Sequence, residues 1–191
     1  MSCVAIIPAR GGSTRIPMKN IKPFFGKPII AYSINAAIYS KLFDRVIVST
    51  DSEEIAKVAR QYGAEVIMRS EEMSRDEVGT QEVMAHVLKD IECDSACCIY
   101  PCAPMISDID LHCALAELEC YSNADYVVPV ATWLRDPGMF YFGTRDAFIS
   151  GQPLTTAQLM PIDLGRECDI NTMEDWSRAE QMYAELHGVI V

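Results

Sequence analysis

Apolar residues along this chain fall into short unbroken runs separated by stretches of helical periodicity. "CVAIIP" (3–8) is an apolar run closed by Pro8, the pattern of a strand buried on both faces. A segment rich in Gly, Pro and basic residues follows, from Ala9 to about Lys27, and reads as a loop. "IIAYSINAAIYSKL" (29–42) repeats apolar positions at helical spacing, and "RVIVST" (45–50) predicts a second strand. Asp51 or Ser52 stands where a cap for "EEIAKVARQYG" is needed, with Gly63 as its stop. "AEVIMR" (64–69), "ACCIYP" (96–101), "ADYVVPVA" (124–131) and "MFYFG" (139–143) predict further strands. Between them, Thr80 precedes the helical stretch "QEVMAHVLKDI", and Asp108 is placed to cap a helix over 109–121. "MEDWSRAEQMYAELHG" (173–188) predicts an amphipathic helix with Trp176, Ala179, Met182, Tyr183 and Leu186 on one side.

Strand–helix alternation with apolar strands predicts an α/β fold whose mostly parallel sheet is covered on both faces. The chain of 191 residues is the size of one domain, and neither repeat nor linker divides it. Ligands of such sheets sit in the loops after the carboxyl ends of the strands. These are the segments 9–27, 50–52, 69–80, 100–108 and 131–138.

Charge sharpens this picture. The net charge of −11 argues against a nucleic-acid partner. Yet residues 1–43 carry Arg10, Arg15, Lys19, Lys22, Lys27 and Lys41 and no acid. No run approaches the ~20 apolar residues of a membrane span, and nothing resembles a leader, so the cytoplasm is the expected compartment. The eight cysteines form no Cys-x-x-Cys pair and lie partly in apolar runs such as "SACCIY", as buried reduced thiols do. His86, on a predicted helix, reads as a helix-face residue.

The densest chemical signal is "PARGGSTRIPMKN" (8–20), which leaves the first strand with two glycines and three cations. Such a loop offers backbone N–H groups and positive charge to a phosphate chain. It contains neither Gly-Lys-Ser/Thr nor Gly-x-Gly-x-x-Gly, which disfavours P-loop and nicotinamide enzymes.

"IIPARGGSTRIPMKN" resembles the N-terminal signature of the cytidylyltransferases that activate nine-carbon sialic-type sugar acids. The resemblance continues in order through "KPIIAYSINAA", "LFDRVIVSTDSEEIAKVARQYGAEV", "GTQEVMAHVL", "CDINTMEDW" and "RAEQMY". "GTQEVMAH", "CCIYPCAPMI" and "DPGMFYFG" look more like the pseudaminic acid branch than the neuraminic acid one. The resemblance implies a Rossmann-like three-layer nucleotidyltransferase fold, a homodimer, and a reaction in which CTP and the sugar acid give CMP-sugar and pyrophosphate. It also implies that Arg10, Lys19 and Arg15 act on the triphosphate. Ala9, Arg10, Gly11, Gly12 and Ser13 would form the nucleotide loop, with Asn20, Arg69 and Thr80 as further nucleotide contacts. Tyr100, Cys102 and Ala103 would line the sugar pocket, and Asp169 with Asn171 would hold Mg²⁺.

Three departures accompany the resemblance. Asn171 stands where the family's second metal-site aspartate is expected, and Thr14 where a lysine is. The chain also passes from "VATW" directly to "LRDPGMFYFG", without a segment that relatives carry after the position of Trp133. Asp51 could be a polar site residue or simply a helix cap. Alternatives within this reading are the same reaction on neuraminic, legionaminic or 3-deoxy-octulosonic acid, or a nucleotide-binding protein of low turnover.

Overall fold

The computed structural model describes residues 1–121, 124–130, 138–154, 159–163 and 169–189, with backbone alone for 130 and 159–163. Its frame is a seven-stranded sheet built from β1 (Cys3–Pro8), β4 (Arg45–Thr50), β5 (Glu65–Met68), β6 (Ser95–Ile99), β7 (Tyr126–Val130), β8 (Phe140–Thr144) and β9 (Leu159–Asp163). A two-stranded hairpin, β2 (Pro23–Phe24) and β3 (Lys27–Pro28), stands apart from it. The order across the large sheet is β5-β4-β1-β6-β8-β7-β9. β1 pairs in parallel with β4 and β6, β4 with β5, and β7 with β9, while β8 runs antiparallel to both its neighbours. The sheet is therefore mostly parallel, as the strand–helix alternation predicts.

Among the described residues six helices cover it: α1 (Ile30–Ser40), α2 (Glu53–Gln61), α3 (Thr80–Leu88), α4 (Asp108–Cys120), α5 (Arg145–Ser150) and α6 (Met173–His187). Ala5, Ile7, Val48, Cys97 and Phe142 pack on one face with Ile34 of α1, Ile55 of α2, Leu111 of α4 and Trp176 of α6. Val4, Ile6, Ile47 and Cys98 pack on the other face with Val83, Met84 and Val87 of α3 and Phe148 of α5. Both faces of β1 are thus in core, which is why its sequence shows no polar alternation.

At the helix starts the structure selects one of two adjacent candidates or moves the cap by one residue. Ser52, not Asp51, caps α2 by accepting a hydrogen bond from the Ile55 N–H. Ser107, not Asp108, caps α4, in a capping box with Asp110. In both places two adjacent residues could cap, and backbone geometry selects one. Gly63 does end α2, at φ +88°, where a side chain would be strained. On α6, Trp176 and Ala179 are buried, whereas Leu186 is 56% exposed and lies off the packed face. His86 is exposed on α3. Seven cysteines are free thiols, and Cys3, Cys97, Cys98 and Cys102 are buried; Cys168 lies outside the described residues. The junction after Trp133 also lies outside them. No helix among the described residues is long and apolar enough to cross a membrane.

The segment 9–27 is more ordered than a plain loop. It holds a 3-10 turn (Lys19–Ile21) and the β2–β3 hairpin, whose central Phe25 and Gly26 both adopt positive φ. Phe24 is fully buried and meets Tyr32, Trp176 and Tyr183 edge-on at 5.4–5.6 Å. This aromatic cluster fastens the N-terminal loop to α6, and with it to the segment that leads into α6.

Candidate active site

The carboxyl ends of β1, β5 and β6 and the amino end of β8 open into a cleft of about 560 Å³, within the usual range for a ligand pocket. Four cations line it: Arg10, Arg15 and Lys19 from the first loop, and Arg69 from the end of β5. Asp76 and Asp169 are the acidic residues on its walls.

The loop owes its shape to internal hydrogen bonds. Ala9 N–H donates to the Ser49 carbonyl at 2.9 Å and continues the sheet by one residue. Gly11 N–H donates to Asp51 Oδ1 at 2.7 Å, so Asp51 fixes the turn instead of capping α2. A Cβ on Gly11 would stand 3.0 Å from that of Ser52, which leaves little room for a larger residue. Asn20 is buried; its Nδ2 donates to the Arg10 carbonyl at 2.8 Å, and its Oδ1 accepts from Cys102 Sγ at 3.2 Å. The end of β6 is anchored by Ser33 Oγ, which donates to the Tyr100 carbonyl at 2.7 Å.

The opposite wall is the segment entering α6. Lys19 Nζ donates to the Ile170 carbonyl at 2.7 Å, and Arg15 Nη2 to Asn171 Oδ1 at 3.2 Å. Asn171 Nδ2 in turn donates to Asp169 Oδ2 at 2.7 Å. Gly138, at φ +64°, lies against Asp169, where an added Cβ would come within 3.1–3.2 Å of the carboxylate side chain.

Two groups are electrostatically unusual. Burial pushes the Arg69 guanidinium below its ordinary range; Asp51 opposes that shift and Arg10 adds to it. Arg69 Nη1 donates to the Met73 carbonyl at 3.5 Å, but Nε and Nη2 are buried with no hydrogen-bond partner among the described residues. Orphaned donors on a buried cation are costly, so this wall is built to receive acceptor atoms. Burial also pushes the Cys102 thiol up to about 12, partly offset by Lys19 and reinforced by Asp169. Cys102 is therefore a protonated wall residue at neutral pH, not a thiolate nucleophile.

Of the residues singled out from sequence, Arg10, Ser13, Arg15, Lys19, Asn20, Arg69, Thr80, Tyr100, Cys102, Asp169 and Asn171 all line this cleft. Ala9 and Ala103 do not; both are wholly buried in the core. Gly11 and Gly12 belong to the loop without being among the lining residues, and a Cβ on Gly12 would meet open space. Sequence reasoning missed Asp76, which pairs with Arg10, and Gly138. Asp76 sits in an acidic stretch indistinguishable from ordinary surface. Gly138 carries no sign of its neighbour 31 positions away.

A cleft of convergent cations at the end of a parallel sheet narrows the choice to anion-binding folds, and comparison with known proteins decides among them. Residues 4–137 match the family model described as cytidylyltransferase. The chain belongs to the cytidylyltransferase family. It is 32% identical over 230 aligned positions to a pseudaminic acid cytidylyltransferase of Campylobacter jejuni, with 98% of each chain covered. Because 230 aligned positions exceed this chain's 191 residues, that relative carries about 40 residues without a counterpart here. An N-acylneuraminate cytidylyltransferase of Escherichia coli is 36% identical over 124 residues, covering 61% of this chain and 30% of that one. Among solved structures, a CMP:2-keto-3-deoxy-manno-octonic acid synthetase complexed with CTP superposes with a TM-score of 0.80. It covers 97% of this chain and 99% of that chain at 16% identity, a likeness of fold. The fold class expected from sequence is the one found, and this cytidylyltransferase is an enzyme of the nucleotidyltransferase type.

Proposed function

We propose that this cytidylyltransferase transfers CMP from CTP to the anomeric hydroxyl of pseudaminic acid or a close nine-carbon sugar acid, releasing pyrophosphate. The observation that carries the reading is the convergence of Arg10, Arg15, Lys19 and Arg69 on one cleft beside Asp169. Likeness over nearly the whole chain to pseudaminic acid cytidylyltransferases supports the choice of sugar.

In the reaction the sugar hydroxyl attacks the α-phosphorus in line while pyrophosphate leaves. The demands are alignment and neutralisation of charge on the phosphates. Arg10, Arg15 and Lys19 take the triphosphate, on a loop whose turn is held by the Gly11 N–H to Asp51 bond. Arg69, Thr80 and Asn20 form the nucleotide wall. Arg69 offers its unpaired donors to the cytidine, and Asn20 keeps the loop backbone in place. Tyr100 and Cys102 face the sugar.

A divalent cation suits the donor set. Among the described residues no group of three or more His, Cys, Asp or Glu side chains forms. One carboxylate, Asp169, matches the mode in which Mg²⁺ takes a single protein carboxylate and completes its shell with substrate phosphate and water. Asp169 would hold Mg²⁺, with Asn171 beside it, and the cation would neutralise charge developing on the phosphates. We place the enzyme in the cytoplasm as a homodimer, with CTP and the sugar acid as its partners.

The test is pyrophosphate release from CTP and Mg²⁺ with pseudaminic, legionaminic, neuraminic and 3-deoxy-octulosonic acids. Fastest release with pseudaminic acid supports the assignment. Faster turnover of another acid transfers it to that sugar, and no release with any acid overturns it.

A further inference from the structure

We infer that Asn171 is a positioning residue whose amide bridges Arg15 to Asp169, so that a divalent cation enters this site only together with a triphosphate. The inference rests on the reading of the cleft as a nucleotide site.

The amide of Asn171 is engaged at both ends. Its Oδ1 accepts from Arg15 Nη2 at 3.2 Å, and its Nδ2 donates to Asp169 Oδ2 at 2.7 Å. Chemistry dictates this orientation. A guanidinium has only donors and a carboxylate only acceptors, so the oxygen must face Arg15 and the nitrogen Asp169. Turning the amide to offer its oxygen to a cation beside Asp169 would break both bonds and set N–H against N–H.

The backbone gives the residue little freedom to move. Asn171 N–H donates to Asp175 Oδ2 at 3.0 Å, inside the capping box that Thr172 and Asp175 form at the start of α6. On the other side Lys19 Nζ holds the Ile170 carbonyl. The segment 170–172 is thereby pinned between the basic loop and a helix terminus, and the side chain of Asn171 with it.

The charge balance follows. Asp169 has Arg15 one amide away and Lys19 on the adjoining carbonyl. Among the described residues, a free divalent cation approaching Asp169 meets the positive charge of Arg15 and Lys19, while the nearby Asp175 carboxylate is already engaged by Thr172 and Arg178, an arrangement that disfavours the cation. A triphosphate on Arg15 and Lys19 reverses the local sign and adds oxygen ligands, so metal and nucleotide arrive together. A carboxylate at position 171 would do the opposite: it would neutralise Arg15 and add a second anionic donor.

The test is equilibrium dialysis with Mn²⁺ as the probe, on the wild type, Asn171→Asp and Arg15→Gln, each with and without CTP. Thermal melts establish that each variant is folded. The wild type is expected to retain Mn²⁺ in the presence of CTP and not in its absence. Asn171→Asp is expected to retain Mn²⁺ without nucleotide at least about tenfold more tightly than the wild type. Should Asn171→Asp melt too low to use, Arg15→Gln must show the same direction of change. Wild-type retention of Mn²⁺ without CTP equal to that with CTP would overturn the inference. So would variants that bind Mn²⁺ no better than the wild type. A wild type that binds no CTP would overturn the nucleotide reading instead, while the comparison without nucleotide would still decide the role of Asn171.

Discussion

Arg10 and Asp76, 66 residues apart in sequence, form an ion pair across the mouth of the cleft. Both side chains are substantially exposed, at 44% and 76%, so the pair adds little to stability. Its consequence is for binding. In the proposed nucleotide site, this carboxylate would compete for the cation that meets the phosphates and would repel an incoming triphosphate.

Asp76→Asn should therefore tighten nucleotide binding. The expected result is a KM for CTP several-fold lower, with thermal stability unchanged within about 0.5 kcal/mol. Steady-state kinetics at varied CTP checks it, and the effect should shrink as salt is raised.

Arg10→Ala tests the cation itself. Loss of a charge proposed to sit on the phosphates should lower kcat by about 10²–10³ while the fold remains intact, because this side chain is 44% exposed. A kinetic assay paired with a thermal melt separates the two effects, and unfolding of the variant would assign Arg10 to structure instead.

The core predicts its own weak point. A Cβ at Gly143 would stand 2.5 Å from Tyr126 Cδ1 and 3.0 Å from Phe148 Cε2, both in buried rings. Gly143→Ala should destabilise the protein by about 1–3 kcal/mol, read as a lowered midpoint in urea.

Much of this arrangement was legible in the sequence, and the rest was not for identifiable reasons. The unbroken apolar run at Val4–Ile7 announces a strand with core on both faces. The acid-free basic strip announces an anion site. Its position after the first strand follows from the topology of parallel sheets. Helix caps were one residue uncertain wherever two capping residues adjoin, as at Asp51–Ser52 and Ser107–Asp108. The β2–β3 hairpin was hidden because two-residue strands carry no periodicity. α5 was hidden because six residues are too few to show a helical period, and β9 because Pro161 interrupts its apolar run. The partners of Arg15, Lys19 and Asp169 depend on how the segment entering α6 is docked by the Phe24 cluster, a tertiary fact without a local signal.

Alkaline pH should expose the buried thiols. Burial pushes Cys3 up to about 11 and Cys102 up to about 12 from an ordinary 9.0, and Cys97 well above it. A raised value in the fold means that its contribution is complete below pH 9.0, where both states keep the proton. As pH rises through 9.0 the unfolded chain ionises first, so stability falls until the folded thiols ionise too. Tyr32 and Tyr126, each pushed up to about 12 by burial, extend the decline. Urea midpoints measured from neutral pH upward should drop past pH 9.0, and Cys102→Ser should flatten that drop.

The proposed reaction moves CMP from CTP to a nine-carbon sugar acid. It is tested most directly with CTP labelled at the α-phosphorus, incubated with pseudaminic acid and Mg²⁺ and resolved by chromatography. The label is expected in a sugar-linked product, in step with pyrophosphate release. Label that stays in CTP, or that leaves only as free CMP, would contradict it.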